Sequence, residues 1–298
     1  LAAFLIAQDE APDVVLLEVG LGGRLDAVNT IDATVSVITS VGLDHCDWLG
    51  NTRDQIALEK VAIGRPGRPL VCAEPSPPET LEAYTSKNEI DLKLTGRDYH
   101  YQRSGESWQW WSPDRKVDGI PLPSMAGDWQ LGNAAAALAV INVLQSKLHV
   151  SDQAIRRGVE KASVAGRFQI LNGPVRVILD VAHNLQAIER LCDGLEGLSA
   201  ARRSVAVFGM MRRKDLSGAI ALLEGVFDEW VIPEFEREDM FSAEEIAGQL
   251  REHFCDPVVH PGGSFSEAIR QLQRRLEGGD QVVIFGSFVM VEAYFNIS

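Results

Sequence analysis

The chain has 298 residues, of which 46% are hydrophobic and 7% aromatic, a composition typical of soluble globular proteins. Its formal net charge of −14 argues against binding to nucleic acid or to an anionic membrane, which needs clustered Lys and Arg. A local basic pocket can coexist with that charge, and the run RRK at 212–214 is a candidate for one. No apolar run approaches membrane-spanning length, so the sequence predicts no membrane partner. The four cysteines are far apart and form no CxxC pair, which predicts neither zinc nor disulfides but reduced thiols in the cytoplasm.

In the first half of the chain, apolar runs alternate with helical patterns, which is the signature of an α/β fold. Strands are predicted at 13–19, 33–39 and 69–74, and a helix at 52–64. The Trp-rich stretch 90–123 contains LKLTG, YHYQR and WQWWS, which predict antiparallel strands. Helices follow at 132–145, with Asn133 near its start, and at 151–162, with Ser151 as its N-cap.

The segment 163–169 is interpreted as a hinge, after which a second alternating series begins. The runs FQIL, VRVILDVA, SVAVFGM, EWVIPE and QVVIFGS predict strands with helices between them. Their β-branched composition favours a parallel sheet covered on both faces. We therefore expect one domain at 1–163 and another at 164–298.

Several predicted strands end in polar side chains, at the sheet edge where open α/β folds bind ligands. Glu18 ends the run VVLLEV beside a glycine loop, where it could bind a metal or cap a turn, and the two readings are about even. The stretch after GLGG shows no helical apolar pattern, which disfavours a dinucleotide-binding dehydrogenase.

A second polar cluster lies in the loop GLDHCDWLG, which contains Asp44, His45 and Asp47. Its position after a strand favours a functional role, although Mg²⁺ prefers oxygen ligands and His45 would be an unusual partner. Lys60 lies on the nearby predicted helix. A solvated face is its plain interpretation, but that helix is apolar nearly all round, which favours a lysine that faces a site.

Three further groups of side chains are candidates for binding phosphate or nucleotide. Asn133 could cap its helix, bind a ligand there, or do both. Arg167 could be a surface charge or a clamp on a phosphate. Asp180, His183 and Asn184 follow one strand and exceed the needs of a single helix cap, so Asp180 could accept bonds from a ribose.

Together these segments resemble the folylpolyglutamate synthase/dihydrofolate synthase family of the Mur ligase superfamily. The matching stretches are EVGLGGRLDAVNTIDA (18–33), ITSVGLDHCDWLGNT (38–52), IALEKVAIGRPGRPLV (56–71), GNAAAAL (132–138), GRFQIL (166–171), DVAHN (180–184), FGMMRRKD (208–215) and VVIFGSF (282–288). Their order and number make the resemblance specific.

The resemblance implies an ATPase-like central α/β domain joined to a Rossmann-like glutamate ligase domain. It implies that Glu18, His45 and a carbamylated Lys60 hold Mg²⁺, with Lys60, His45 and Arg167 as catalytic residues. It places Leu25, Asp26 and Ala27 at the pterin substrate. It assigns nucleotide contacts to Asn133, Arg167, Asp180 and His183.

Two departures from the family pattern stand out. No Gly-x-x-x-x-Gly-Lys-Ser/Thr motif occurs, so the chain resembles the family without its N-terminal P-loop region, and we expect this fragment alone to be inactive. Leu185 stands where the family usually has Pro after AHN, which should affect only the start of the next helix.

The implied activity is the ATP-dependent addition of L-glutamate to dihydropteroate, to the glutamate tail of a reduced folate, or to both. The acid would be activated as an acyl phosphate, by a monomeric cytoplasmic enzyme. Three alternatives remain open: another Mur-type amino-acid ligase, an inactive truncated product, and, least favoured, a nicotinamide dehydrogenase.

Overall fold

The computed structural model describes residues 2–125 and 127–297. These residues form two compact units. Unit 1 consists of the residues up to His100, Trp110–Lys116 and Ala135–Val150, and unit 2 consists of Tyr101–Gln109, Val117–Ala134 and the residues from Ser151 onward. Within the described ranges, no helix has both the length and the apolar character needed to cross a membrane.

Unit 1 contains a three-stranded parallel sheet in the order β1-β2-β3. The strands are β1 (Ser36–Ile38), β2 (Pro69–Cys72) and β3 (Asp91–Leu94), and the helices are α1 (Ala2–Glu10), α2 (Cys46–Leu49), α3 (Arg53–Val61) and α4 (Glu79–Lys87). Helix α3 begins where predicted, because the Thr52 side chain accepts a hydrogen bond from the Gln55 amide. Its buried face packs with β2 and α4 in one hydrophobic core.

The predicted strand at 13–19 is wrong, since these residues form neither strand nor helix. Leu16 is 93% exposed, and the segment pairs with no strand among the described residues. An apolar run becomes a strand only when a neighbour satisfies its backbone groups, and β1, at the sheet edge, pairs with β2 alone. The run LKLTG is also corrected, because β3 joins β2 in parallel rather than an antiparallel excursion.

The Trp-rich stretch forms a second sheet of three consecutive strands, whose residues are divided between the two units. They are β4 (His100–Ser104), β5 (Ser107–Trp111) and β6 (Lys116–Pro121). Trp108 and Trp110 of β5 are each 1% exposed, and their indole N–H groups donate to the carbonyls of Pro121 and Ala135. Two buried tryptophans with satisfied N–H groups explain why so polar a stretch is ordered.

Helix α5 (Trp129–Leu144) starts three residues before the predicted position. Asn133 is therefore inside the helix and does not cap it, so that interpretation is wrong. Its amide donates instead to the Gln130 side chain at 3.0 Å. Helix α6 (Asp152–Lys161) confirms the predicted cap, because the Ser151 side chain accepts from the Ala154 amide.

Unit 2 contains a six-stranded sheet in the order β11-β10-β9-β12-β8-β7, parallel except for β7. Its strands are β7 (Gln169–Leu171), β8 (Arg176–Leu179), β9 (Ser204–Phe208), β10 (Glu229–Glu234), β11 (Val259–Ser264) and β12 (Gln281–Phe285). Its later helices are α7 (Leu185–Glu196), α8 (Leu216–Leu222), α9 (Ala243–His253), α10 (Phe265–Gln273) and α11 (Phe288–Phe295). Two separate hydrophobic clusters pack against this sheet, which confirms the prediction of a largely parallel sheet covered on both faces.

Strand β11 is not predicted by the sequence, because its residues VHPGGS include one proline and two glycines. Such a composition argues against a central strand, but it is tolerated at the edge of a sheet. The strand lies at that edge and pairs only with β10.

Candidate active site

In unit 1, the glycine loop, residues Gly20–Gly23, is organised by the carboxylate of Asp26. That carboxylate accepts hydrogen bonds from the backbone amides of Val28 at 3.0 Å, Gly20 at 2.9 Å and Leu21 at 3.3 Å. The Val28 hydrogen bond is the main reason that the pKa of the Asp26 carboxyl lies below its usual range. Asp26 thus holds the loop as an anion, and its neighbours Leu25 and Ala27 are left exposed.

The glycines bring this loop against two helices. A Cβ on Gly22 would lie 2.8 Å from a methyl group of Leu49 in α2, and one on Gly23 would lie 2.7 Å from a methyl group of Ile63, just after α3. The Arg24 amide donates to the carbonyl of Glu59 at 2.9 Å. Close approach to α2 and α3 therefore accounts for Gly22 and Gly23, and it seats Arg24 beside the turn of α3 that carries Lys60.

His45 and Asp44 lie together at the start of α2. His45 occupies the N-cap position with a left-handed backbone (φ 52°), and its amide donates to the Asp44 carboxylate at 2.8 Å. Its Nε2 atom lies 3.9 Å from the same carboxylate, and both side chains are about 30% exposed, at 32% and 27%. A partly exposed imidazole beside a carboxylate remains accessible to a ligand.

The Lys60 side chain is partly buried, and its amine forms no hydrogen bond or ion pair with the residues that the structure describes. Burial lowers the pKa of its amine, and the negative charge of Asp44 opposes this shift. Lys60 is therefore near enough to Asp44 for the carboxylate charge to affect the pKa of its amine. Its partial burial argues against a fully solvated lysine, and that Lys60 faces a site stays a prediction.

Glu18 does not have the setting that the sequence analysis assumed. It is exposed in the irregular segment before the glycine loop, not at the end of a buried strand. Across the described residues, no three His, Cys, Asp or Glu side chains are grouped so that they could hold a metal ion. Asp44 and His45 offer one oxygen and one nitrogen donor, so these residues alone do not form a complete metal site.

In unit 2, Asp180 follows β8 and fixes the turn around Arg167. One carboxylate oxygen accepts from the Phe168 amide at 2.7 Å, and the other accepts from the Ala182 amide at 2.6 Å. Burial raises the pKa of the Asp180 carboxyl to about 6. The hydrogen bonds from the Phe168 and Ala182 amides and the charge of Arg167 oppose this shift. Asp180 is thus a partly buried anchor of the backbone.

The loop after Asp180 confirms that one cap does not account for all its polar groups. Asn184 caps α7 by accepting from the Ala187 amide, so Leu185 occupies the first helical position, where proline is also favourable. His183 takes no part in the cap, and its Nδ1 lies 2.7 Å from the carbonyl oxygen of Val181.

Arg167 and His183 both contact Phe288, which follows β12. The guanidinium carbon of Arg167 lies 5.4 Å from the centroid of the Phe288 ring, and the His183 ring centroid lies 6.0 Å from it. The sequence analysis assigned no role to Phe288. The rule of polar strand ends overlooks an aromatic residue, although FGSF stands at the end of β12 just as DVAHN stands at the end of β8.

The basic run at 212–214 is not a simple cationic pocket. The Arg212 guanidinium forms two hydrogen bonds with Glu245, at 2.8 and 2.6 Å, and lies 5.4 Å from the centroid of the Phe241 ring. The hydrogen bonding of the Arg212 side chain is the largest of the effects that lower the pKa of Glu245 to about 2. Arg212 therefore ties its loop to the start of α9.

Comparisons with known proteins bear on both units. Residues 166–288 match the family model of the Mur ligase glutamate ligase domain. The chain is 37% identical over 291 residues to the dihydrofolate synthase/folylpolyglutamate synthase of Escherichia coli (strain K12), covering 97% of this chain and 65% of that protein. It is 31% identical over 315 residues to the protein of the same name from Haemophilus influenzae, covering 100% and 71%. The chain belongs to the dihydrofolate synthase/folylpolyglutamate synthase family.

The fold agrees with this assignment. A crystal structure of a bifunctional folylpolyglutamate synthase/dihydrofolate synthase with Mn, AMPPNP and L-glutamate bound superposes with a TM-score of 0.87 at 36% identity. The match covers 99% of this chain and 69% of that one. The chain thus spans about two thirds of the length of the relatives that it matches, and the predicted resemblance and α/β fold class are confirmed.

Proposed function

We propose that this chain forms the major part of an ATP-dependent ligase that joins L-glutamate to dihydropteroate, to the glutamate tail of a reduced folate, or to both. Family membership over nearly the whole chain is the observation that carries the proposal. The matched glutamate ligase domain and the anchored Arg167 turn support it further. We place the reaction in the cytoplasm and propose that the enzyme is a monomer, with no nucleic-acid or membrane partner.

The proposed chemistry has two steps. A carboxylate oxygen of the acceptor attacks the γ-phosphorus of ATP, which gives an acyl phosphate and releases ADP. The neutral amine of glutamate then attacks the acyl carbon, loses a proton, and expels inorganic phosphate as the amide bond forms. Phosphoryl transfer needs alignment and neutralisation of spreading negative charge more than covalent help from the protein.

We assign the residues of this chain as follows. Arg167 donates to phosphate oxygens, Asp180 holds the turn that presents Arg167, and Asn133 and His183 contact the nucleotide. Leu25 and Ala27 contact the pterin on a loop that Asp26 keeps in shape. We further propose that these roles divide between domains at 1–163 and 164–298.

Glu18, His45 and a carbamylated Lys60 are the proposed ligands of Mg²⁺, which when bound would neutralise phosphate charge. The neutral Lys60 amine adds to the carbon of CO₂ and loses one proton, which leaves a carbamate anion. A partly buried amine with a lowered pKa and no hydrogen bond is suited to this addition. The carbamate would supply oxygen donors beside Asp44 and His45.

Carbon-13 NMR of the chain in labelled bicarbonate tests the carbamate without any activity. We expect one carbamate resonance that is absent in Lys60→Met and present in Lys87→Met, a variant at an exposed lysine. A spectrum with the same resonances in all three proteins would contradict the assignment.

The activity itself is tested with isotope-labelled glutamate and ATP. The chain alone lacks a Gly-x-x-x-x-Gly-Lys-Ser/Thr motif, and we expect it to incorporate no glutamate. A chimaera that adds the part of the Escherichia coli relative unmatched by this chain should ligate glutamate to dihydropteroate or folate but not to UDP-sugar acceptors. Ligation to UDP-sugars would instead indicate another Mur-type ligase.

In the same chimaera, Glu18→Ala should abolish ATP-dependent glutamate ligation if Glu18 holds the metal. Asp13→Ala, at an exposed position in the same segment, is the matched control and should retain activity. Turnover at the unmodified rate in Glu18→Ala would refute the metal assignment.

A further inference from the structure

Arg167 is held in place through its backbone rather than by bonds to its charge. It lies between two residues with left-handed backbones, Gly166 (φ 68°) and Phe168 (φ 44°). The Val181 amide donates to the Gly166 carbonyl at 2.9 Å, and the Phe168 amide donates to Asp180 at 2.7 Å. The path of the chain through Arg167 is therefore fixed on both sides.

The charged end of Arg167 is left available. Arg167 is exposed, and its guanidinium forms no hydrogen bond or ion pair within residues 2–125 and 127–297. The guanidinium carbon lies over the Phe288 ring in a cation–π contact, which is not a hydrogen bond to an acceptor atom and leaves the N–H groups available to an anion. An arginine arranged in this way is ready for an anion with several oxygens.

Phe288 is an exposed aromatic residue without a packing role that would explain it. Its side chain is 59% exposed, whereas the other side of the same helix is buried through Met290 and Val291. Its backbone is fixed at the first position of α11, because the buried Ser287 caps that helix by accepting from the Met290 amide. Its ring contacts are with Arg167 and His183.

We infer that Phe288 is a positioning residue, whose ring orients the Arg167 guanidinium toward a phosphate group of the ligand. This rests on the proposed function, in which Arg167 binds the phosphates of ATP. The alternative is that Phe288 stacks on the base of the nucleotide. The two interpretations predict different effects of removing the ring: weaker binding of the phosphates if Phe288 orients Arg167, and weaker binding of the base if Phe288 stacks on it.

The experiment measures the affinity of the 298-residue chain for pyrophosphate, adenosine and ATP by NMR titration. Phe288→Leu should weaken pyrophosphate and ATP about two- to fivefold, the strength of a cation–π contact at an exposed site, and leave adenosine unchanged. Phe288→Tyr should restore the affinity. Phe295→Leu, at a 42% exposed Phe on the same helix, is the matched control and should bind as the unmodified chain does.

Two further results make the inference decidable. In an Arg167→Lys background, Phe288→Leu should cause less additional loss, because the two residues act as one unit. Weaker adenosine binding with unchanged pyrophosphate binding would overturn the inference and show base stacking.

A readout without nucleotide separates this inference from the proposed function. The Nε–H resonance of Arg167, assigned by its loss in Arg167→Lys, should carry a ring-current shift that disappears in Phe288→Leu. If the chain binds no phosphate but the shift is lost as expected, the ring does orient the Arg167 guanidinium, and it is the proposed role of Arg167 in binding phosphate that fails. If the shift persists in Phe288→Leu, positioning fails whatever the chain binds.

Discussion

Lys60 shows how a charge can be kept in a fold at a cost in stability. Its amine is partly desolvated without a hydrogen bond, so folding lowers the pKa of the amine and shifts its protonation equilibrium toward the uncharged form. Because its pKa is lower in the folded than in the unfolded state, folding becomes more favourable as the pH rises between those two values. A residue retained under such a penalty is a candidate for function.

We predict that Lys60→Met raises the free energy of unfolding by about 1 kcal/mol at pH 7 in CO₂-free buffer. The gain should shrink as the pH approaches 10.5, the ordinary pKa of a lysine, because the unfolded lysine then loses its own proton and folding removes less charge from water. Urea denaturation at both pH values measures this, with Lys87→Met as the exposed control. An equal effect at the two pH values would contradict the burial argument.

Asp180 gives the opposite pH dependence. Burial raises the pKa of its carboxyl from 3.8 to about 6, so the folded chain binds more protons than the unfolded chain between those values. The resulting stabilisation is complete below pH 3.8 and is lost as the pH rises through about 6.

Relative to Asp180→Asn, we predict that the native chain is more stable at pH 4 than at pH 7.5 by about 2 kcal/mol. Asparagine does not titrate, so the difference between the two proteins isolates this carboxyl. Chemical denaturation across this pH range is the measurement, and Asp114→Asn, at an exposed site, should show no such trend. A constant difference would show that Asp180 keeps an ordinary pKa.

At the scale of elements, the glycine loop is fitted to α3 by the absence of a single side chain. A Cβ on Gly23 would lie 3.0 Å from the Glu59 carbonyl oxygen and 3.2 Å from that of Lys60. Backbone atoms within a helix cannot move aside separately. The loop would have to lift from the turn that carries Lys60.

We predict that Gly23→Ala destabilises the chain by about 1–3 kcal/mol, the range for overpacking. Gly158→Ala is the matched control, because Gly158 lies in α6 with open space around it and should gain up to about 1 kcal/mol. Thermal unfolding of the two variants distinguishes them. Equal effects would mean that the loop is not seated on α3.

The elements of unit 2 were largely predictable because periodicity and capping agree there. Five of its strands have apolar runs, and the predicted α6 has a serine cap that the structure shows. The prediction of a strand at 13–19 failed because an apolar pattern is a local property, whereas a strand needs a neighbouring strand to pair with. The Lys60 environment was only half predictable, since an apolar helix indicates burial but not the proximity of Asp44.

For the whole molecule, exposed apolar side chains are unevenly distributed. More than half of the large ones among the described residues lie before residue 50, including Leu16 at 93% and Trp48 at 80% exposure. Helix α1 buries none of its residues. Single exposed apolar side chains are ordinary, whereas a contiguous exposed patch of them marks a binding surface.

We predict that the chain alone binds the dye ANS strongly, and that Leu16→Ser combined with Trp48→Ser lowers this binding. Leu222→Ser, at a 36% exposed leucine in α8, should have little effect. Fluorescence titration at constant protein concentration measures both. Undiminished dye binding in the double variant would place the dye elsewhere.

Which apolar side chains would be left exposed was not predictable from the sequence. The family motifs predicted the fold class from residue order alone, whereas the roles they imply for His45, Lys60 and Arg167 stay predictions. They did not show that Asp26 and Asp180 are used by backbone amides, because hydrogen bonding to the main chain has no sequence signature beyond residue type.

The ring of Phe168 has a consequence beyond its place in the core. It rests against the backbone of α7, where a Cβ on Gly194 would lie 2.5 Å from the ring. Since Phe168 directly follows Arg167, a methyl group added far from the surface would push the neighbouring cation out of alignment. A genetic selection for loss of function should therefore recover Gly194→Ala as well as replacements of Arg167 itself, although Gly194 is buried and Arg167 is exposed.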